Sequence, residues 1–153
     1  MSNEARFKSL GLALPPASKP QGLYKPLVVV GNMAYTSGHV PVAADGSVIT
    51  GCVGGELDQE AGYQAARQAG LAILATLRAE LGTLDRVRRV VKMLGVVRCT
   101  PEFDRQPAVI NGCSQLFADV FGPEAGVGAR SAIGIAALPL GAPVEIEAIF
   151  EIE

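Results

Sequence analysis

The segment from Val144 to Ile152 alternates: Val144, Ile146, Ala148, Phe150 and Ile152 are all apolar, while Glu145, Glu147 and Glu151 stand between them with Ile149. A period of two carried by β-branched residues is the pattern of a strand with one buried face. A second apolar run, Ser131–Ala137, lies just upstream, across the Leu138-Pro139-Leu140-Gly141-Ala142-Pro143 stretch. Two apolar runs around a Pro/Gly turn predict strands paired as a hairpin. Arg130, just before the first run, and Glu145, one residue into the second, would then share the open end. A guanidinium and a carboxylate at one cleft are suited to binding an anion and moving protons.

The rest of the chain supplies partners for that buried face. Gly31-Asn32 between Leu27–Val30 and Met33–Ser37 predicts a tight hairpin. Gly38, Pro41 and Asp45-Gly46 end its second strand and mark a further turn, and Ser47–Thr50 is a candidate short strand before the flexible Gly51–Gly55. Asp58 is a helix N-cap, and Leu57, Ala61, Ala65, Ala69, Ile73, Leu77 and Leu81 then recur every four residues up to Gly82, the expected C-cap. The Ala- and Gly-rich stripe of this helix suits close packing on a flat partner such as a sheet. Val87–Val97 is valine-rich and mostly apolar on both faces, which predicts an interior strand. A second helix is expected from Phe103 or Pro107 to Phe121, stopped by Gly122-Pro123. Residues 1–20, with Pro15, Pro16 and Pro20, read as an arm with a short helical turn around Glu4–Leu10.

This order gives one α+β domain over residues 1–153, with two helices against one mixed sheet. The second face of the sheet is left uncovered, and the natural cover is another copy of the chain. Composition agrees: 49% of residues are hydrophobic and 18% charged, with a mean hydropathy of +0.31, yet no apolar run reaches the roughly 18 residues that span a bilayer. An oligomer is expected. A net charge of -2 gives no nucleic-acid or anionic-membrane surface. The basic cluster Arg86, Arg88, Arg89 and Lys92 reads as a solvated strand edge or a subunit contact. One histidine and three cysteines without a C-x-x-C pair exclude a multi-histidine metal site and suggest reduced thiols. The N-terminus lacks a signal peptide's basic and apolar blocks, so a cytoplasmic location is expected.

Several of these pieces, taken in order, resemble the Rid/YjgF family, the reactive-intermediate imine deaminases also catalogued as L-PSP endoribonucleases. They are Gly31-Asn32 followed by Thr36-Ser37-Gly38, the helix from Asp58, Ala129-Arg130-Ser131, and Leu138-Pro139 leading into Val144-Glu145-Ile146-Glu147-Ala148. They cover the chain from about Tyr24 to Ile152. No single piece is diagnostic; the ordered set is.

The resemblance implies a chorismate-mutase-like fold and a homotrimer whose sheets face a central barrel, with three clefts between subunits. It implies no cofactor and no metal. Arg130 matches the arginine that clamps the substrate carboxylate; a planar guanidinium engages both oxygens, as lysine does not. Its bland alternative is an interface salt bridge. Glu145 matches the acid that positions the attacking water, against an ordinary solvent-facing glutamate. Tyr24 matches a tyrosine that reaches into a neighbour's cleft, against a core or rim aromatic. Asn111 matches an amide that meets the ligand, against a surface amide. Ser37 and Gly38 match the loop lining the pocket, against a simple strand-ending turn.

Two departures stand out. Ala132 occupies the place where compact members often carry cysteine, so carboxylate binding through its backbone N–H survives while thiol chemistry is lost. The Gly51–Gly55 region and the approach to the second helix are also longer. His39, beside the pocket loop, invites a general-base role, although a lone histidine is more often structural.

The activity implied is hydrolysis of small 2-enamine or 2-imine carboxylic acids, such as 2-aminoacrylate, to 2-keto acids and ammonia. A non-catalytic binder or sensor of small carboxylates and an endoribonuclease are the rivals. The acidic balance and single histidine weigh against the last.

Overall fold

The computed structural model describes the whole chain, residues 1–153. Its helices are α1 (Asn3–Ser9), α2 (Gln59–Leu81) and α3 (Gln106–Phe121); its strands are β1 (Leu27–Val30), β2 (Met33–Thr36), β3 (Val87–Arg98), β4 (Ala129–Ile135) and β5 (Val144–Ile152). Single 3-10 turns lie at Leu84–Arg86 and Pro139–Gly141. The strands form one mixed sheet in the order β1-β2-β5-β3-β4. Only β3 and β4 are parallel; the other neighbours are antiparallel.

The expected hairpin between the last two strands does not form. β3 lies between them, pairing with β4 on one side and β5 on the other. The physical reason is the character of β3. At 12 residues it is the longest strand, with Val87, Val90, Met93 and Val97 buried on one face, so it takes the slot where two neighbours satisfy its backbone. The connection through Pro139–Gly141 is long enough to step over it. Ser47–Thr50 likewise forms no regular strand and is reduced to one bridge between Val42 and Val48.

Elsewhere the local signals act as read. Gly31 has the positive φ (59°) that the β1–β2 turn requires. The Asp58 carboxylate accepts the Ala61 N–H at 2.8 Å to open α2, and Gly82 closes it in the left-handed conformation, φ 86°. In β5, Val144, Ile146, Ala148, Phe150 and Ile152 are all buried. They face α2 and α3, where Phe117, Phe121 and Phe150 form a cluster with centroids 5.6 to 6.0 Å apart. In β3, register irregularities between Val87 and Arg89 and between Val90 and Lys92 turn Val87, Val90 and Met93 all inward at a spacing of three.

The small-residue stripe of α2 makes its closest approach to α3 rather than to the sheet. A Cβ added at Gly112 would stand 2.0 Å from the Tyr63 carbonyl oxygen, and one at Gly70 would stand 3.0 Å from Cys113 Sγ. Two helices crossing this closely need glycine at the contact.

The first residues are more firmly held than an arm. Glu4 in α1 receives the Arg78 fork, Nε to Oε1 at 3.0 Å and Nη2 to Oε2 at 2.5 Å, and accepts the Leu84 N–H at 2.9 Å. Burial opposes its ionisation, but Arg78 and that N–H outweigh it and hold the carboxyl below its ordinary range. After α1 the chain runs through Leu12, Leu14 and the buried Pro15 along the core before reaching β1.

The sheet face away from the helices is bare. Val28, Val30, Tyr35, Ile133 and Ile135 are exposed at 41 to 63%, and the strand registers put them on that one face. No helix is long and apolar enough to cross a membrane.

Candidate functional site

A cavity of about 590 Å³ opens beside the β2–β5 seam. It is built on an irregularity. Tyr35 pairs with Ile149 and His39 bridges Ile146, so four steps along one chain oppose three along the other. The extra residue makes a bulge at Ser37–Gly38. His39 N donates to Ile146 O at 2.8 Å and Ile146 N to His39 O at 2.9 Å, which restores the ladder beyond it.

The bulge is pinned from inside. Ser37 Oγ donates to Lys25 O at 2.5 Å. His39 is buried, its Nδ1 2.7 Å from Ser37 O and its Nε2 2.8 Å from Thr76 Oγ1. The carbonyl can only accept, so Nδ1 carries the proton and Nε2 accepts from the threonine hydroxyl. Burial lowers the His39 pKa and the Ser37 contact only partly opposes this, so the ring is neutral. With both nitrogens engaged, His39 is a structural histidine that shapes the loop.

Gly38 gives Glu145 its place. A Cβ there would lie 2.6 Å from Glu145 Oε1, so the carboxylate rests against bare backbone. Burial and then the neighbouring Glu147 charge raise the Glu145 pKa. A carboxyl whose pKa is raised takes up and gives back a proton more readily at neutral pH than an ordinary one. Tyr24, half-exposed, completes this side of the cavity with Ser37, Gly38 and Glu145. Four of the seven residues singled out from the sequence therefore meet in one place.

The other three meet elsewhere. Arg130 in β4 pairs with Met93 of β3 and points to the helix face. Its Nη1 donates to Asn111 Oδ1 at 2.7 Å and to Ser114 Oγ at 3.0 Å, both on α3. Nε and Nη2 make no hydrogen bond in the protomer. Asn111 thus holds the arginine with its side-chain oxygen, a contact that spacing alone did not reveal. Ala132, two residues on and on the same face, packs on the core. β4 is an edge strand, so alternate N–H groups point outward beside the guanidinium.

The expected common end for Arg130 and Glu145 is therefore absent within one protomer. Arg130 is level with Met93 and Glu145 with Val96; with strands about 4.8 Å apart and about 3.3 Å per residue, they stand two strand spacings apart and three residues out of step. They also face opposite sides of the sheet. What the sequence marked as one site is two separate clusters in the chain.

Ser114 and the wall residues Pro16–Gln21 and Leu140 escaped the sequence reading. Ser114 follows α3's buried Cys113 and carries no motif; the arm lacks any periodicity that would place it over a pocket.

The comparisons bear on this arrangement. Residues 4–150 match the family model described as "YjgF/chorismate mutase-like, putative endoribonuclease". The chain belongs to the YjgF family. Protein TCP17 of Trypanosoma cruzi is 41% identical over 148 residues, 97% of this chain and 92% of that protein. A 2-iminobutanoate/2-iminopropanoate deaminase of Dermatophagoides farinae is 31% identical over 143 residues, 93% of this chain and 95% of its own. Among solved structures, Agrobacterium tumefaciens Atu1372, of unknown function, superposes with a TM-score of 0.89 at 43% identity, covering 99% of this chain and 94% of that one. YjgF-family membership, an α+β fold with a mixed sheet, and relatives that include an imine deaminase thus agree with the expectation drawn from the motifs.

Proposed function

We propose that the chain is a hydrolase of 2-imino and 2-enamino carboxylic acids, working as a homotrimer in clefts where one protomer's Arg130 half-site meets a neighbour's Glu145 half-site. The observation that carries this reading is the separation of the two halves. Each is pre-built: a guanidinium with Nε and Nη2 unengaged on one face, a half-buried carboxyl of raised pKa on the other. The uncovered face of the sheet, with apolar residues at both edges, supplies a surface on which copies can associate.

In the cleft the Arg130 fork, through Nε and Nη2, holds the substrate carboxylate. An enamine is taken as its imine tautomer. Glu145 accepts a proton from the attacking water as oxygen bonds to C2 of the iminium, and gives it to the nitrogen. It then takes the proton of the new hydroxyl as the carbonyl forms, passing it on to the released ammonia. The C–N bond breaks, leaving a 2-keto acid and ammonia. Imine hydrolysis is already facile in water, so placing the reactants supplies the modest acceleration required. An RNA-cleaving reading has less support: the cavity carries one carboxyl, and the lone histidine is spoken for on both nitrogens.

The test is complementation. Arg130→Ala and Glu145→Gln chains are each expected to be inactive on 2-aminoacrylate generated by a dehydratase, with pyruvate as readout. Unfolded and refolded together in equal amounts, they should regain about a quarter of the wild-type rate, since random assembly pairs two intact halves at about one seam in four. No recovery in mixed assemblies, or full activity of either variant alone, overturns the reading.

A further inference from the structure

The cavity is too large for the smallest acids of this class. Allowing each of the six non-hydrogen atoms of 2-aminoacrylate a full water's volume, about 30 Å³, it fills less than about a third of the 590 Å³. The remaining space has an apolar stretch of wall, Val40, Val42 and Val48 from the loop after β2, Pro16 from the segment after α1 and Leu140 from the turn before β5, with Ser18, Lys19 and Gln21 completing the rim.

Leu140 is the informative member. It has φ 61° and ψ 15° and is the one residue other than glycine with a positive φ. That region disfavours any residue with a Cβ, and a bulky one more than a small one. The residue is also 58% exposed, so no core packing recovers the strain. Glycine, already used next door at Gly141 with φ 70°, would fit at no cost. A bulky apolar side chain kept in a strained, exposed position over a cavity is what a specificity wall looks like.

The geometry points to a substrate class within the reaction proposed above: 2-imino acids with a bulky apolar side chain, branched or aromatic, whose tail lies between Leu140 and the Val40–Val48 wall. This assignment rests on the deaminase reading. Within the cavity Glu145 meets the polar head, and Leu140 with Val40, Val42 and Val48 takes the tail.

The experiment compares imines generated in place by an L-amino-acid oxidase from alanine and from leucine, scored by loss of imine in competition with semicarbazide. The leucine-derived imine is expected to show kcat/KM at least about tenfold higher, the usual reward for extra methylenes in an apolar pocket. Leu140→Gly, which relieves the strained backbone, should keep or raise Tm while cutting that ratio by at least about fivefold; Val48→Phe, which fills the tail end, should cut it further. Equal kcat/KM for the two imines, or variants that change both by one factor, overturns the assignment. Dissociation of the assembly by Leu140→Gly with loss of both activities also overturns it, placing the residue at a subunit seam. If neither imine is turned over, the deaminase reading falls, and calorimetry with 4-methyl-2-oxopentanoate and pyruvate decides the cavity alone. Tighter binding of the larger acid, lost in Leu140→Gly, upholds the tail pocket; equal or weaker binding sinks it.

Discussion

Arg130 owes its orientation to two neighbours on one helix. Asn111 and Ser114 both engage Nη1, so the face of the guanidinium that remains free is fixed. Ser114→Ala removes one of these bonds while Asn111 remains; a loss of about 1 kcal/mol is expected, near fivefold in affinity. It should appear in KM for the imine, or in Kd for a keto acid, with kcat little changed, and Ser114→Thr should restore it. Glu145 offers a pH test. Its pKa is raised in the fold by burial and by Glu147, so the folded protein binds that proton more tightly than the unfolded chain. The charged form therefore costs stability above the raised pKa, and the cost is gone below the ordinary glutamate range near about 4.3. Glu145→Gln should raise Tm at neutral pH and lose that advantage on acidification. Glu147→Gln should lower the Glu145 pKa and move the acidic limb of the rate profile to lower pH.

At the scale of elements, the contact between α2 and α3 is the least forgiving. Adding one methyl at Gly112 puts carbon 2.0 Å from the Tyr63 carbonyl, and the obstacle is backbone. Gly112→Ala is expected to cost about 3 kcal/mol, at the upper end of overpacking penalties, read from the urea midpoint of unfolding. The elements themselves were largely legible. The alternation from Val144 to Ile152, the Asp58 and Gly82 caps and the Gly31-Asn32 turn are local signals, and local geometry obeys them. Strand pairing was not. Periodicity says which face of a strand is buried but not which strand lies beside it, so the insertion of β3 between β4 and β5 left no trace in the last stretch of sequence. For the same reason the residues of the site were found by type, while their division between two faces of the sheet was not.

For the whole molecule, the open sheet face is the deciding surface. Val28, Val30 and Tyr35 at one edge of this face and Ile133 and Ile135 at the other expose apolar area that nothing in the chain covers. Ile133→Glu places a charge there without touching the helix-side core. Sedimentation is expected to show single chains with unchanged far-UV dichroism, and imine hydrolysis should vanish with assembly even though every residue of both half-sites is intact.

Arg130 and Glu145 look out from opposite sides of one sheet, so in the trimer proposed above each chain would serve two different neighbours. A single defective copy carrying both substitutions would silence about two of the three clefts in its ring. In a cell expressing good and bad copies together, such an allele would act dominantly, and activity would fall faster than the share of faulty chains.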